Sequence, residues 1–250
     1  MYNFFVDDSN RQGDYYYITG SDHNHIANVL RMKKGDNFLV SDGGMSNLCE
    51  IESIDENTVV VKVIEENYKS AELPVRIYLF QGLPKSDKME LIIQKAVELG
   101  VYEIIPVEMK RCVVKLDEKK KKNKQARWQA IAESAAKQSK RNIIPHVCEP
   151  MKYKEALKKA QELDLLLVPY ENERGMEATK DGLSCIKRDK SIGILIGSEG
   201  GFEREEIALA EEIGGKTVSL GERILRTETA AITAMSMCML YTELNLSGEE

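Results

Sequence analysis

From Pro74 onward short, largely apolar runs alternate with stretches of helical periodicity. The runs are VRIYLF (75–80), EIIPV (103–107), DLLLVP (164–169) and IGILIG (192–197). A strand with no polar face is buried on both sides, and strands alternating with helices form a parallel sheet covered on both faces. The intervening patterns agree. Met89, Ile92, Ile93, Ala96 and Leu99 fall on one face of a predicted helix over 86–99, with Ser86 placed to cap it and Gly100 to end it. Trp128, Ile131, Ala132, Ala135 and Ser139 mark a second helix. The last stretch, AAITAMSMCMLY (230–241), is apolar or small almost all round. Such a helix is buried in its own core or against another subunit.

Residues 1–70 follow a different grammar. Phe4–Val6, Tyr15–Thr19, Phe38–Val40, Leu48–Ile54 and Thr58–Ile64 are aromatic and β-branched, with turn residues at 10–13, 42–44 and 55–57. One helix is predicted over 23–32, with Ile26, Val29 and Leu30 inward. Closely spaced strands with a single helix predict a small β-barrel domain over 1–70, a polar linker over 65–73, and an α/β domain over 71–250. No run reaches the roughly 18 apolar residues of a membrane span, and the acidic start MYNFFVDD is unlike a signal peptide. The five cysteines form no CxxC pair, and His23 and His25 have no cysteine nearby. No metal is expected, and the reducing cytoplasm is the expected compartment.

The formal charge of −6 argues at first against a nucleic-acid partner. Its distribution reverses that reading. Residues 109–141 carry twelve Lys/Arg against three acidic residues, so this segment is +9 and the rest of the chain −15. Such asymmetry is the footprint of a local polyanion site. Arg111, Lys137, Lys140 and Arg141 are better placed for it than the solvated run Lys119–Lys122.

Three segments carry the chemistry. In ILIGSEGGFEREEI (194–207) a strand enters a glycine loop, 197–201, and a helix follows, so backbone amides can approach a ligand. The loop lacks the lysine of a phosphate-binding loop and the spacing of GxGxxG. Glu199, Glu203, Glu205 and Glu206 would repel phosphate and suit a cationic ligand. In VSLGERILRTETAAI (218–232), Thr227 can cap the final helix, and Arg223, Arg226 and Glu228 fall among apolar Ile224, Leu225 and Ala230. In FQGLPKSDKMELIIQKAVELGV (80–101), Gln81, Lys85 and Lys88 fall at the carboxyl edge of the sheet, where α/β sites form. Each segment alone is also compatible with an ordinary capped turn.

Together with RCVVK (111–115), AESAAKQSKRNIIP (132–145) and HNHIANVLRMKKGD (23–36), these segments resemble the bacterial 16S rRNA uracil-N3 methyltransferases that act on uridine 1498. The likeness spans almost the whole chain in order. The chain departs from that family at Ser198 and Glu222, usually Pro, at Lys140, usually Gly, and at Cys112, usually Ser. The resemblance implies a PUA-like barrel followed by a knotted, parallel-sheet SPOUT methyltransferase domain, acting as a homodimer through the C-terminal helix. It implies S-adenosyl-L-methionine as cofactor, against Leu167, Pro169, Ile196, Gly197, Gly200, Gly201, Leu220, Gly221, Ile224, Leu225 and Thr227. The implied partner is 16S rRNA or the small ribosomal subunit. Arg226 would steady charge on the uracil carbonyls, with Glu199 or Glu228 orienting it or receiving the proton. Arg11, Arg31, Lys85, Arg111, Lys137, Gln138 and Arg141 would hold the RNA. Two competing readings are a non-catalytic RNA-binding or assembly protein, and a nucleotide-dependent α/β enzyme. The acidic loop weighs against the latter.

Overall fold

The structure, a computed structural model, describes residues 1–246 apart from 43, 44, 69, 86 and 174. The expected Ser86 cap and part of the 42–44 turn therefore lie outside the described residues. The chain divides into two compact units, 1–72 with 136–144, and 73–135 with 145–250.

In the first unit the strands are β1 (Asn3–Phe5), β2 (Arg11–Gln12), β3 (Tyr15–Ile18), β4 (Asn37–Ser41), β5 (Ser46–Ile54) and β6 (Val59–Glu65). They form one sheet ordered β1-β4-β5-β6-β3-β2, antiparallel except where β1 meets β4. Alternation drives the fold. Phe38, Val40, Cys49, Ile51, Val59 and Val61 all point into one core with Phe4, Tyr16 and Ile26. Two register shifts between β5 and β6 bend the sheet around that core. Among the described residues no ladder joins β1 to β2, so the sheet curls without the full closure of a barrel.

The predicted 23–32 helix differs in form. Residues Gly20–Asn24 make α1 and His25–Val29 continue as a wider π turn, closed by the Leu30 amide on the His25 carbonyl. The wider turn rotates Val29 out to 64% exposure while Ile26 stays fully buried, so the two do not share a face.

Residues 136–144, expected in the α/β domain, belong with the first unit because of their polar side chains. Asn142 donates to Ser46 and accepts from the Ala71 amide, at 2.7 Å each. Arg141 forks onto Glu72, and its carbonyl accepts from Asn3 at 2.8 Å.

The second unit contains β7 (Arg76–Gly82), α2 (Lys88–Glu98), β8 (Val101–Glu108), α3 (Glu118–Ser139, whose last turn belongs to the first unit), β9 (His146–Val147), β10 (Met151–Lys152), α4 (Tyr153–Gln161), β11 (Leu165–Pro169), α5 (Glu177–Ser184), β12 (Ser191–Ile196), α6 (Arg204–Glu212), β13 (Lys216–Val218) and α7 (Thr227–Leu246). Its strands run in the order β10-β8-β7-β12-β11-β13, with β9 also on β8, and every pairing is parallel. The apolar runs read from sequence are its central strands: Ile77, Leu79, Ile104, Ile105, Val168, Ile192 and Ile194 are fully buried. In α2, Met89, Ile92, Ile93 and Ala96 are buried as the periodicity requires, and Gly100 follows at φ +89°. No described helix is long and apolar enough to cross a membrane.

Strand order reverses direction at β7 and β12: the chain leaves β7 toward β8 on one side and returns through β11 and β12 on the other. Ile196 and Gln81 end these two strands side by side. Such a reversal opens a crevice at the carboxyl ends of the strands, and that is where ligands bind in open α/β sheets.

Candidate functional site

A cavity of about 450 Å³ lies at the carboxyl ends of β11, β12 and β13. That volume is within the range of small-molecule and cofactor sites. Its walls come from three loops: 169–173 after β11, 196–202 after β12, and 220–227 with Ala230 after β13, joined by Lys88.

The glycine loop is built for close approach. Residues 198–201 form a tight turn, with the Gly201 amide on the Ser198 carbonyl at 2.9 Å and Gly201 at φ +69°. Beneath it, a Cβ on Gly82 would stand 2.6 Å from the Ser198 nitrogen, so only glycine lets β7 and the loop meet. Thr227 then ties the loop to the last helix. Its hydroxyl donates to the Gly197 carbonyl at 2.7 Å and accepts from Gln81 Nε2 at 2.9 Å. Gln81 is fully buried, and the same nitrogen also donates to the Gly82 carbonyl. Three segments distant in sequence are thus closed on one hydroxyl.

On the outer side, residues 110–111 are fastened to the loop and to the start of α6. Arg111 Nε meets Glu203 at 2.9 Å, and its Nη1 donates to the Gly200 carbonyl at 2.8 Å. The Lys110 amide donates to Glu206, a carboxylate only 3% exposed that also accepts from the Glu203 amide as a helix cap.

Inside the cavity, Lys88 Nζ lies 3.3 Å from both Glu199 and Glu228. Desolvation works against the charge on Lys88, but the two glutamates outweigh it and raise its pKa. Desolvation likewise opposes the Glu199 carboxylate. The Lys85 amide, the residue's own amide and Lys88 overcome this and hold its pKa below the ordinary value. Arg226 is exposed on the wall and has no side-chain ion pair among the described residues.

Of the residues expected at the cofactor, Pro169, Ile196, Gly197, Gly201, Leu220, Gly221, Ile224, Leu225 and Thr227 line the cavity. Leu167 and Gly200 do not. Leu167 is 1% exposed within β11, and a Cβ on Gly200 would strike Arg111 at 2.8 Å, so that glycine faces the clamp. Of the catalytic candidates, Arg226 and Glu199 line the cavity, whereas Glu228 stands behind Lys88. The 223–226 segment is not packed as its apolar residues had suggested. Arg223 and Arg226 are exposed, and Ile224 is 88% exposed. Glu171, Glu173 and Phe202, not singled out in the sequence, also line the cavity. Their signal was positional: each lies in the loop that follows the carboxyl end of β11 or β12.

The residues expected at RNA fare unevenly. In the second unit Lys85 is exposed, while Arg111 is committed to the glycine loop. In the first unit Gln138 and Arg31 are exposed, Arg31 at φ +53°. Lys137 pairs with Asp22 at 3.6 Å, and Arg11 pairs with Asp42 and Glu66. Arg141 is the clear correction. It is 2% exposed and its fork is filled by Glu72, because a buried guanidinium must be paired to be tolerated.

A parallel sheet with a glycine-loop crevice at its point of reversal defines a small-ligand-binding α/β domain, here joined to a curled β unit. Comparison with known proteins narrows this class. The RNA methyltransferase domain family matches residues 71–239, and the RNA methyltransferase PUA domain matches 18–64. The ribosomal RNA small subunit methyltransferase E of Bacillus subtilis is 41% identical, over 94% of this chain and 93% of its own. The chain belongs to the ribosomal RNA small subunit methyltransferase E family. A Legionella pneumophila methyltransferase solved with the bound cofactor SAM superposes with TM-score 0.78 at 31% identity, covering 95% of this chain and 96% of that one. The ribosomal RNA small subunit methyltransferase E of Neisseria gonorrhoeae, solved bound to S-adenosyl methionine, gives TM-score 0.78 at 31% identity, covering 94% of this chain and 95% of that one.

Proposed function

We propose that this protein methylates N3 of uridine 1498 in 16S rRNA, in the cytoplasm, using S-adenosyl-L-methionine. The residues present fit that cofactor. Pro169, Ile196, Phe202, Leu220 and Leu225 offer apolar walls for a flat base, and Glu171, Glu173, Glu199 and Glu222 surround the cavity with carboxylates suited to a sulfonium and unsuited to phosphate. When bound, the cofactor supplies an electrophilic methyl group.

The observation that carries the reaction is the contrast between Arg226 and its neighbours. Glu199 and Glu228 are both held by Lys88, whereas Arg226, like Arg223, lines the cavity with no ion pair among the described residues, and the family resemblance points to Arg226 of the two. Uracil N3 must give up its proton, here to solvent water, as it becomes a nucleophile, leaving charge on the flanking carbonyl oxygens. A planar donor held at that point stabilises such charge. Glu199, its pKa depressed, is a poor proton acceptor and serves to fix Lys88 and the Lys85 amide. N3 lies on the pairing edge, so the base reacts unpaired or extruded. Lys85, Arg31 and Gln138, all exposed, are the contacts we assign to RNA.

Two architectural readings belong to the same proposal. The carboxyl-terminal chain forms a trefoil knot, a reading supported by the closure of Thr227 onto Gly197. The protein is a homodimer through α7, which buries Ala231, Ala234, Met235 and Cys238 in its own unit but leaves Leu240 50% and Leu244 81% exposed. Adding purified protein and cofactor to 16S rRNA from a strain lacking this modification should restore one N3-methyluridine by mass mapping. Arg226→Ala should abolish it while leaving cofactor binding intact. Near-normal turnover by that variant would refute the role of Arg226. Cofactor binding by wild type with no rRNA methylated would favour an RNA-binding or assembly protein.

A further inference from the structure

Outside the cavity, one cluster of unlike donor groups has no part in this chemistry. Glu103 of β8, His146 of β9 and Cys148 just beyond β9 each offer a ligand atom within 4.8 Å of the others. The geometry points to a binding site for a zinc-type divalent cation that staples the short strand β9 to β8.

Strand register brings these residues together. Glu103 is the cross-strand partner of His146. His146 and Cys148 are two residues apart, which in extended chain puts both side chains on one face of the sheet. The Cys148 backbone stays in the ladder, its amide donating to the Ile104 carbonyl at 2.9 Å, and its thiol lies 3.0 Å from Glu103 Oε1. Thiolate, imidazole and carboxylate together are a zinc donor set, and three protein ligands leave a fourth position for water. Without metal the place is taken by Lys159 of α4, whose ammonium sits 2.9 Å from Glu103 and 4.0 Å from the Cys148 sulfur. That side chain is 34% exposed and can swing into solvent. Metal entry thus exchanges one cation for another: the Cys148 S–H bond breaks, its proton goes to solvent, and the sulfur–metal bond forms.

The role is structural. Glu103 is level with Tyr78, three residues before Gln81 on β7, and therefore roughly 10 Å short of the carboxyl edge where the cavity opens. The absence of paired cysteine motifs gave no hint of this site, because Glu103 and Cys148 are 45 residues apart in the chain.

The test uses the full chain, stripped with chelator and titrated with zinc, with cobalt as a spectroscopic probe. One zinc should bind per chain and raise the melting temperature, and cobalt should show a thiolate charge-transfer band. His146→Ala and Cys148→Ser should each weaken binding by roughly tenfold or more. Lys159→Met, which removes the competing cation, should strengthen it by about tenfold. The proposal is overturned if wild type takes up no zinc, if the two ligand variants bind it as well as wild type, or if Lys159→Met binds no more tightly. Turnover of the zinc-free enzyme should equal that of the loaded enzyme, so the outcome is independent of the reaction proposed above.

Discussion

Replacing Thr227 by valine changes almost no volume and removes one hydroxyl, which makes it the sharpest probe of how the site is assembled. The residue is 5% exposed, so its hydroxyl is largely shielded from water. Two hydrogen bonds disappear, from Gln81 at 2.9 Å and to Gly197 at 2.7 Å. Gln81 keeps its bond to Gly82, but the Gly197 carbonyl loses the donor that held it. A net hydrogen bond contributes about 1 kcal/mol and an orphaned buried acceptor costs about 1–3 kcal/mol, so the combined loss is about 2–4 kcal/mol. For a chain of this length that lowers the melting temperature by about 4–16 °C. The glycine loop is the segment released, so cofactor affinity should fall as well. Thr227→Ser, which keeps the hydroxyl, should recover most of both. Differential scanning fluorimetry with and without S-adenosylmethionine reads the two effects together. If the valine variant melts within 2 °C of wild type and binds cofactor equally well, the reasoning that this hydroxyl closes the site fails.

Three other outcomes follow from the same geometry. Gly82→Ala brings a methyl to 2.6 Å from the Ser198 nitrogen, and overpacking against backbone costs about 1–3 kcal/mol, so turnover should fall more steeply than stability; wild-type kinetics would show that the loop is not held there. Arg111→Ala frees Gly200 and Glu203, so the KM for cofactor should rise several-fold with little change in kcat, and a loss confined to RNA affinity would mean the clamp is not its main role. Asp164 accepts from the Ser191 amide, Lys190 and the Ser191 hydroxyl, which pull its pKa well below the ordinary 3.8. A depressed folded-state pKa gives stability that is present above the unfolded value and lost as pH falls through the folded one, so the difference between wild type and Asp164→Asn should be constant near neutrality and shrink below about pH 4. A difference that persists unchanged at pH 2 would rule out this linkage.

Much of the molecule was legible in the sequence because it rests on local pattern. The apolar runs between helical patterns pointed to buried parallel strands, the aromatic and β-branched segments before Glu65 to a small β domain, and the acidic glycine loop was already unsuited to phosphate. Other features depended on neighbours that the sequence does not display. Val29 moved outward because the backbone widened by one residue per turn, and Arg141 left the RNA-facing set because Glu72 fills its fork. Arg111 became a clamp on the glycine loop for the same reason: a charged side chain takes whatever partner the fold brings near it.

The sequence by itself determined the periodicities, hence the two architectures and the sheet edge where a ligand must lie. Hydrophobic spacing is a property of the chain, and burial follows from it. Only the tertiary structure decided which charges are already spent and which remain available. Lys88 is shared by Glu199 and Glu228, whereas Arg226 has no ion-pair partner among the described residues. That distinction is set by distances of a few ångströms between residues far apart in the chain, and electrostatic pairing depends on those distances and on how far solvent is excluded around them.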